Sequence, residues 1–367
     1  MTIMGKLIGE EKADIVVIGS GIVGISSAYH LERAGFNVIG LEESEIASGA
    51  TQYSSGVLYF GSGTDFQTAI SLWGHEKARA FFDETKKSID EMVELVKQNN
   101  LEVGLHSPGA MIVARNEEEK KYLESESKAM EGLGYAGTLL TSAETEKHYA
   151  GATFTAGLNQ PIGHQIKPGL FAQQLAKILS ARFYEESGMI EIAETHGGIQ
   201  VKTSEGSVHA KHVVVATNLK PFYGLEEHFF MENSSIITTD PLGDKIKELW
   251  PQDKIIWTPD EKYDILYTHD QQAFLEVYEP KNIEEKIRRY FPEDVVFKKN
   301  KMTGDSWAKT HDWLPIVGTI KPGIHVAIAM GDQGIVMGYT AGRNMPLLIQ
   351  GTDSLFLNMT NPKRFKN

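Results

Sequence analysis

A glycine-rich turn near the start of the chain constrains its fold more than any other feature. Residues 15–18 form a short apolar run that predicts a buried parallel strand, and Gly19, Gly21 and Gly24 follow it before a helical pattern. In this spacing the first glycine makes the tight turn, the second lets the backbone approach a pyrophosphate, and the third allows close packing of helix on sheet. The next strand ends on Glu42, an acid placed to accept hydrogen bonds from ribose hydroxyls. The segment predicts a dinucleotide site; a glycine-rich turn of another α/β protein is the alternative.

Composition limits the class of protein. A length of 367 residues exceeds what one core usually supports, so we expect two domains. The formal net charge of −13 argues against nucleic acid and anionic membrane surfaces as partners. The absence of cysteine excludes disulfides, thiolate metal sites and a cysteinyl-linked cofactor, and the 12 histidines show no ligand spacing that predicts a metal site. With no apolar run of membrane-spanning length and no leader-like segment, we expect a cytoplasmic protein without a transmembrane segment.

The order of predicted elements indicates a discontinuous architecture. Apolar runs followed by helical patterns occur near both ends of the chain, which favours a parallel sheet. Closely spaced strand patterns between residues 254 and 278 favour an antiparallel sheet instead. A single helix is expected over about residues 69–98. The predicted division is a Rossmann-like dinucleotide-binding domain of residues 1–98, 151–221 and 304–367, and a substrate domain of residues 99–150 and 222–303.

Several longer segments resemble one known superfamily. After the first glycine turn come SGATQYSSG, HVVVATN, AKTHDWLPIVG over residues 308–318, AIAMGDQGIVMGYTAGR over residues 327–343, and NPKRF near the C-terminus. Together they resemble the FAD-dependent amine and amino-acid oxidoreductases, a superfamily that includes D-amino-acid oxidase, glycine oxidase, sarcosine oxidase and dye-linked L-proline dehydrogenase. The resemblance implies an α/β fold, α+β overall, with an FAD-binding domain of the glutathione-reductase type and an antiparallel substrate domain.

The same resemblance implies which residues contact FAD. It places around the pyrophosphate Gly19, Ser20, Gly21, Ile22 and Gly24, at the ribose Glu42 and Glu43, and along the phosphates Ser48, Gly49, Ala50 and Thr51. It places near the flavin Ser54, Ser55 and Gly56, and beside the ADP half Ala216 and Thr217. At the pyrimidine edge of the isoalloxazine it places Gly331, Asp332, Gln333, Gly334 and Ile335. A helix beginning near Gly334 would offset negative charge on the reduced ring.

Three departures from the superfamily pattern affect the prediction. Tyr53 stands where relatives with covalent flavin carry histidine, so FAD is expected to be bound non-covalently. Asp332 replaces a residue of the usual Ser-Gly-His-Gly, and it either points away from the ring or binds the ammonium of the substrate. Residues 265–277 contain no arginine, which weakens the case for a simple α-amino acid, because a guanidinium is the usual carboxylate ligand. The sequence leaves three classes of substrate open: an amine, an N-methylated compound, or an acid held by a group other than arginine.

The implied reaction is oxidation of a C–N bond, with hydride transfer to flavin N5, hydrolysis of the resulting imine, and electrons passed to O2 or another acceptor.

Lys309 is the candidate for a positive charge near the flavin, or else a surface lysine. Tyr267 and His269 either line the substrate pocket or are exposed strand residues, and Trp257 and Trp307 are either pocket walls or core. The alternatives are an FAD-binding subunit or degenerate homologue without turnover, and an NAD(P)-dependent dehydrogenase. The expected partners are a small amine or amino acid as substrate and other subunits, with which the chain would form a homo- or hetero-oligomer.

Overall fold

Two large sheets organise the molecule. The computed structural model describes residues 3–218, 224–260, 262–278, 282–298 and 303–365. One sheet has seven strands, all parallel except the last. In spatial order its strands are β1 (Ile3–Met4), β10 (Arg182–Tyr184), β4 (Val38–Leu41), β3 (Ile15–Ile18), β14 (His212–Val215), β21 (Ile324–Ile328) and β20 (Ile316–Lys321).

The second large sheet has eight strands and is antiparallel except for one central parallel pair. In spatial order these are β19 (Thr303–Thr310), β15 (Phe229–Thr238), β18 (Gln272–Val277), β17 (Ile265–His269), β16 (Ile255–Trp257), β6 (Ala110–Ala114), β8 (Ala156–Gln160) and β7 (Thr138–Thr141). Two small sheets comprise β11 (Glu191–Thr195), β12 (Gly198–Lys202), β13 (Gly206–Ala210) and β2 (Gly9–Lys12), and β5 (Val57–Leu58) with β9 (His164–Gln165). The predicted combination of a Rossmann-like parallel sheet with an antiparallel sheet is confirmed.

Helices cover the sheets and complete the core. They are α1 (Ile22–Arg33), α2 (Ala50–Tyr53), α3 (Phe66–Trp73), α4 (His75–Gln98), α5 (Glu117–Gly132), α6 (Ser142–Glu146), α7 (Pro168–Lys177), α8 (Lys245–Leu249), α9 (Ile283–Tyr290), α10 (Gly334–Gln350) and α11 (Leu355–Thr360). The strand β3 is fully buried, as expected for a central parallel strand covered on both faces. In the described ranges no helix is long and apolar enough to cross a membrane.

Helices α1 and α10 pack side by side because glycine lets their backbones approach. A Cβ built on Gly338 would lie 2.9 Å from Ile22 Cγ2 and 3.0 Å from Val23 Cγ2. One built on Gly342 would lie 2.6 Å from the backbone of Ser26 and Ser27. Only a residue without a side chain fits at this contact. The two helices come from opposite ends of the chain, so this contact joins the N- and C-terminal parts of the parallel-sheet half.

One sequence prediction, the extent of a helix, differs from the structure. The single helix expected over residues 69–98 is two helices, because Gly74 between α3 and α4 adopts φ +79°, ψ 158°, which a continuing helix does not allow. The strand β8, and β19 from residue 304 onward, belong to segments predicted for the FAD-binding domain, and both pair within the eight-stranded sheet. The division into domains stays a prediction, and its boundary at residues 221 and 222 lies outside the described residues.

Candidate active site

A long groove runs along the carboxyl edge of the seven-stranded sheet. The register places the last residues of β3, β4 and β14 side by side, so the segments that follow these strands meet at one edge. Most residues predicted to contact FAD line this groove: Gly19, Ser20, Gly21, Ile22, Glu42, Glu43, Ser48, Gly49, Ala50, Thr51, Ser54, Ser55, Ala216, Thr217, Gly331, Asp332, Gln333, Gly334 and Ile335. Of the predicted set, Gly24 and Gly56 do not line it.

The first glycine turn is built by close backbone contacts. Gly19 has φ +95°, and a Cβ there would lie 2.6 Å from the carbonyl oxygen of Ala216. A Cβ on Gly24 would lie 1.8 Å from the carbonyl oxygen of Gly19, which explains why Gly24 supports the turn without reaching the groove. The N–H of Ile22 donates to Thr51 Oγ1 at 3.0 Å. The turn therefore presents the N-terminus of α1 to the groove with its first N–H bound by Thr51, a position that favours phosphate.

The Glu42 carboxylate holds this turn as well as facing the groove. Its Oε2 accepts a hydrogen bond from the N–H of Ser20 at 2.7 Å, and its Oε1 accepts one from the N–H of Ser44 at 3.0 Å. A carboxylate has about four acceptor sites, so two remain for ribose hydroxyls. The acid at the end of β4 thus has a structural contact that the sequence pattern did not predict.

Unpartnered polar atoms in the groove test whether FAD fits. Ser20 Oγ, Thr217 Oγ1 and Gln333 Oε1 are buried without a hydrogen-bond partner in the part of the chain that the structure describes. All three side chains line the groove, and buried polar atoms are nearly always hydrogen-bonded in native proteins. A polar ligand that runs the length of the groove, as FAD would, supplies such partners at both ends.

The end of the groove near α10 carries Asp332. The hydroxyl groups of Tyr263 and Tyr278 both donate to its carboxylate, and Gln333 Nε2 donates to Oδ2 at 3.2 Å. Burial raises the pKa of Asp332 to about 7. Both tyrosines flank the β17–β18 pair of the eight-stranded sheet, so the carboxylate is tied to that sheet. Of the two roles considered for Asp332, the described contacts favour an orientation toward this sheet.

A second cavity of about 350 Å³ adjoins the groove. Val57, Ile265 and Gln333 line both spaces, so the second cavity meets the groove at its α10 end. Its walls are largely aromatic and carry three carboxylates. The aromatic residues are Tyr59, Phe60, Phe66, Tyr122, Trp257, Tyr263 and Trp313, and the carboxylates are Asp65, Glu126 and Asp260. Pockets of this kind, apolar with a few polar groups, typically bind small molecules.

Glu276 is a functional candidate that the sequence analysis missed. It is 6% exposed and lines the groove beside Ile265, its cross-strand partner. Its Oε1 accepts a hydrogen bond from Ser234 Oγ at 2.6 Å, whereas Oε2 is buried without a partner among the described residues. Burial raises the pKa of this carboxyl. The available signal was a single charged residue inside the apolar strand pattern of residues 273–277.

The three predicted catalytic residues lie outside both cavities. Tyr267 is buried and stacks on Phe274 with 4.9 Å between ring centroids. His269 Nε2 lies 3.3 Å from Asp270 Oδ2, and burial lowers the pKa of the imidazole. Their catalytic roles therefore stay predictions without a supporting contact.

Lys309 is not a surface lysine. Its side chain is 10% exposed, and its Nζ lies 3.6 Å from Glu232 Oε1 and 4.1 Å from the ring centroid of Trp313. Trp313 lines the second cavity and Trp307 lines the groove, so the ammonium lies behind the walls of both. Of the two tryptophans considered at the sequence level, Trp307 lines the groove and Trp257 the second cavity, so both are pocket walls.

Comparison with known proteins identifies the family. A family model described as FAD dependent oxidoreductase (DAO) matches residues 14–345, and the chain therefore belongs to this family. This match confirms the predicted resemblance and the predicted cofactor, FAD. It argues against the alternative of an NAD(P)-dependent dehydrogenase. Non-covalent attachment of FAD stays a prediction; Tyr53 is 48% exposed.

Two curated oxidoreductases illustrate the similarity to individual relatives. The chain is 26% identical to γ-glutamylputrescine oxidoreductase of Escherichia coli K12 over 365 residues, which covers 94% of this chain and 85% of that protein. It is 24% identical to the probable oxidoreductase OrdL of Haemophilus influenzae over 249 residues, or 65% of this chain and 58% of OrdL. The chain thus spans little more than half the length of OrdL.

Solved structures share the fold. Glycine oxidase from Geobacillus kaustophilus superposes with a TM-score of 0.80 at 18% identity, covering 96% of this chain and 98% of that one. L-proline dehydrogenase from P. horikoshii also gives a TM-score of 0.80 at 18% identity, covering 97% and 98%. At these identities the likeness shows a shared fold, which agrees with the place of the chain in the FAD-dependent oxidoreductase family.

Proposed function

We propose that this enzyme oxidises the C–N bond of an amine or amino acid held in the second cavity. The observation that carries the proposal is the junction of the two spaces at Val57, Ile265 and Gln333, next to the segment predicted to lie at the flavin edge. FAD, when bound, accepts the hydride from the carbon beside the substrate nitrogen. The imine product is hydrolysed by water, and the electrons pass to O2 or to another acceptor.

The residues of the chain contribute binding, orientation and exclusion of water. The N-termini of α1 and α10 both face the groove and have no capping side chain at the N-cap residue. Apart from the Ile22 N–H, which donates to Thr51, their first N–H groups are available to phosphate and to the ring edge. The aromatic walls of the second cavity exclude water around the substrate. A neutral amine supplies its own electron pair, so no protein base is obligatory.

The names of three similar proteins support the substrate class. They are γ-glutamylputrescine oxidoreductase, glycine oxidase and L-proline dehydrogenase. The compounds in these names all contain a C–N bond whose carbon carries hydrogen. The electron acceptor, cytoplasmic location and assembly with itself or with other subunits are part of the proposal and rest on the sequence analysis.

The test is anaerobic reduction of the bound flavin. The purified protein, with excess FAD removed after incubation, is mixed with a panel of amines and amino acids, and loss of the visible flavin absorption is recorded. We expect at least one compound to bleach the flavin, and an oxygen-electrode assay of that compound then distinguishes an oxidase from a dehydrogenase. If the protein retains FAD but no compound reduces it, the protein is an FAD-binding subunit or a degenerate homologue instead.

A further inference from the structure

We infer that the substrate is an amine with no carboxylate beside its nitrogen, and that Glu276 binds this nitrogen while the carbon chain extends into the second cavity. This inference deepens the proposed function and rests on it. It narrows the substrate class from amines and amino acids to amines, and it makes Glu276 a residue that determines specificity.

One oxygen of the Glu276 carboxylate points to a ligand. The side chain is 6% exposed and lines the groove. Ser234 Oγ donates to Oε1 at 2.6 Å, whereas Oε2 is the only carboxylate oxygen of the described residues that is buried without a hydrogen-bond partner. Burial raises the pKa of this carboxyl and outweighs the hydroxyl groups of Ser234 and Ser55, which lower it. A buried carboxylate in this state is costly unless a donor pairs with it, and a substrate ammonium is such a donor.

The other carboxylates at the α10 end of the groove and in the second cavity already have donors. None of them has a buried oxygen without a partner in the part of the chain that the structure describes. Asp332 accepts from Tyr263 and Tyr278, Asp65 from Thr68, Glu126 from Phe66 and Gln67, and Asp260 from Arg115. Glu276 is therefore the carboxylate whose donor is missing.

Strand pairing places Glu276 next to the junction of the two spaces. Ile265 stands directly opposite Glu276 in the β17–β18 pair, and it lines both the groove and the second cavity. Directly opposite side chains of antiparallel strands lie on one face of the sheet with their Cβ atoms about 4.5–5.5 Å apart. A nitrogen bound by Glu276 is thus about one side chain away from the second cavity.

An apolar row leads from Ile265 into the second cavity. Trp257 stands opposite Ile265 in the β16–β17 pair, and Ile112 stands beside Trp257 in the β6–β16 pair. All three side chains line the second cavity. Removal of hydrocarbon from water against such a surface favours binding by about 25 cal/mol per Å². The row therefore suits the alkyl or aryl group attached to the nitrogen.

No cationic side chain is placed to bind a substrate carboxylate. Within the described ranges, no lysine, arginine or histidine lines the groove or the second cavity. Lys309 lies behind Trp307 and Trp313, and its Nζ is 3.6 Å from Glu232 Oε1. A carboxylate beside the reacting nitrogen would meet the charge of Glu276 without a counter-ion, whereas an ammonium alone is attracted.

Matched pairs of compounds test the inference on the wild-type holoenzyme. The members of a pair differ only by a carboxylate, as in n-butylamine and norvaline or phenethylamine and phenylalanine, with both enantiomers of each amino acid. The dissociation constant comes from the concentration dependence of anaerobic flavin reduction, or from competition where a compound does not reduce the flavin. We expect each amine to bind at least about tenfold more tightly than its amino acid. If another amine of the panel reduces the flavin faster, it is paired with its own α-carboxylated counterpart.

The outcomes separate this inference from the proposed function. If an amino acid binds as tightly as its amine and reduces the flavin, the inference is overturned and the proposed function stands. If no compound of the pairs or of the wider panel reduces the flavin, the proposed function fails and the inference fails with it.

The variant Glu276→Gln tests which residue recognises the nitrogen. The amide keeps an acceptor for Ser234 but removes the negative charge. The two ligands compared are n-butylamine and pentanoate, which carry an ammonium and a carboxylate on the same butyl chain. We expect the dissociation constant of n-butylamine to rise at least about tenfold, while that of pentanoate, measured by competition, does not rise. A general disturbance of the pocket would weaken both.

Glu285→Gln is the matched control, because the Glu285 side chain is 67% exposed and lies outside both cavities. It should leave both dissociation constants unchanged. Unaltered binding of n-butylamine to Glu276→Gln, or an equal loss for both ligands, would overturn the role of Glu276. A Glu276→Gln protein with a native circular dichroism spectrum but no retained FAD would place the carboxylate at the cofactor and overturn that role as well. If this variant does not fold, the compound pairs on the wild type still decide the substrate class.

Discussion

At the scale of single residues, glycines in the first turn differ in what a methyl group would meet. A Cβ on Gly24 would lie 1.8 Å from a backbone oxygen, whereas one on Gly21 would meet only Thr51 Oγ1 at 3.1 Å. We therefore expect Gly24→Ala to lower the free energy of unfolding by about 3 kcal/mol. Gly21→Ala should stay folded but lose FAD, because its methyl stands where the backbone must approach the pyrophosphate. Thermal unfolding and flavin retention after gel filtration measure the two effects; equal stability of both variants would contradict this assignment.

The buried carboxyl of Glu126 predicts an unusual pH dependence. Its pKa is raised from 4.5 to about 7, mainly by burial, so the folded protein binds this proton more tightly than the unfolded chain does. Its contribution to the free energy of unfolding therefore falls as pH rises from about 4.5 to about 7, by up to about 3 kcal/mol. We expect Glu126→Gln, compared with the wild type, to become relatively more stable over this interval. Urea unfolding of the FAD-free proteins at several pH values measures the difference; a constant difference would show that the pKa is not raised.

The residues that could be predicted from sequence are those whose role is local. Gly19, Gly21 and Glu42 lie in one continuous segment, so their spacing alone indicates a dinucleotide turn. Glu276 reaches the groove and Asp65 the second cavity only through long-range contacts of the fold, and no local pattern marks the wall of a cavity. Tyr267 was placed on the correct strand, yet its side chain packs on Phe274 rather than lining a cavity.

At the scale of elements, the contact of α1 with α10 sets the positions of both helix N-termini in the groove. Replacing a helical glycine by alanine normally stabilises a helix by about 0.5–1 kcal/mol. At Gly342 the new methyl would lie 2.6 Å from the backbone of α1, so we expect Gly342→Ala to destabilise by about 1–3 kcal/mol and to weaken FAD retention.

Gly132→Ala is the matched control for this contact. Gly132 also lies in a helix, but its nearest neighbour would be His75 Nε2 at 3.8 Å, an ordinary contact. We expect this variant to be neutral or slightly stabilised. Thermal unfolding of both variants decides the matter, and equal melting temperatures would show that the α1–α10 contact tolerates a side chain.

The break between α3 and α4 shows why periodicity alone overestimates helix length. The apolar spacing continues across Gly74, since both helices pack against the same core, so the pattern indicates one helix. The glycine at φ +79° redirects the chain after α3, whereas the start of α3 at the second cavity is capped by Asp65. A lone glycine inside a helical pattern was the only local sign of this turn.

At the scale of the whole molecule, the two large sheets meet around the groove. The parallel sheet supplies strand ends and helix N-termini, and the eight-stranded sheet supplies Ile265, Glu276 and Trp307. The alternation of parallel and antiparallel patterns along the sequence predicted this arrangement. The sheet membership of β8 and β19 was not predictable, because a short strand pattern does not specify which sheet it joins.

The most direct measurement is a stoichiometric anaerobic titration of the FAD-loaded protein with the amine that reduces it fastest, followed by product analysis. If the protein oxidises C–N bonds at this site, about one equivalent of a primary amine bleaches each bound flavin, and about one equivalent each of aldehyde and ammonia is recovered. A protein that fails to retain FAD, or whose flavin stays oxidised in the presence of every amine and amino acid tried, would contradict that function.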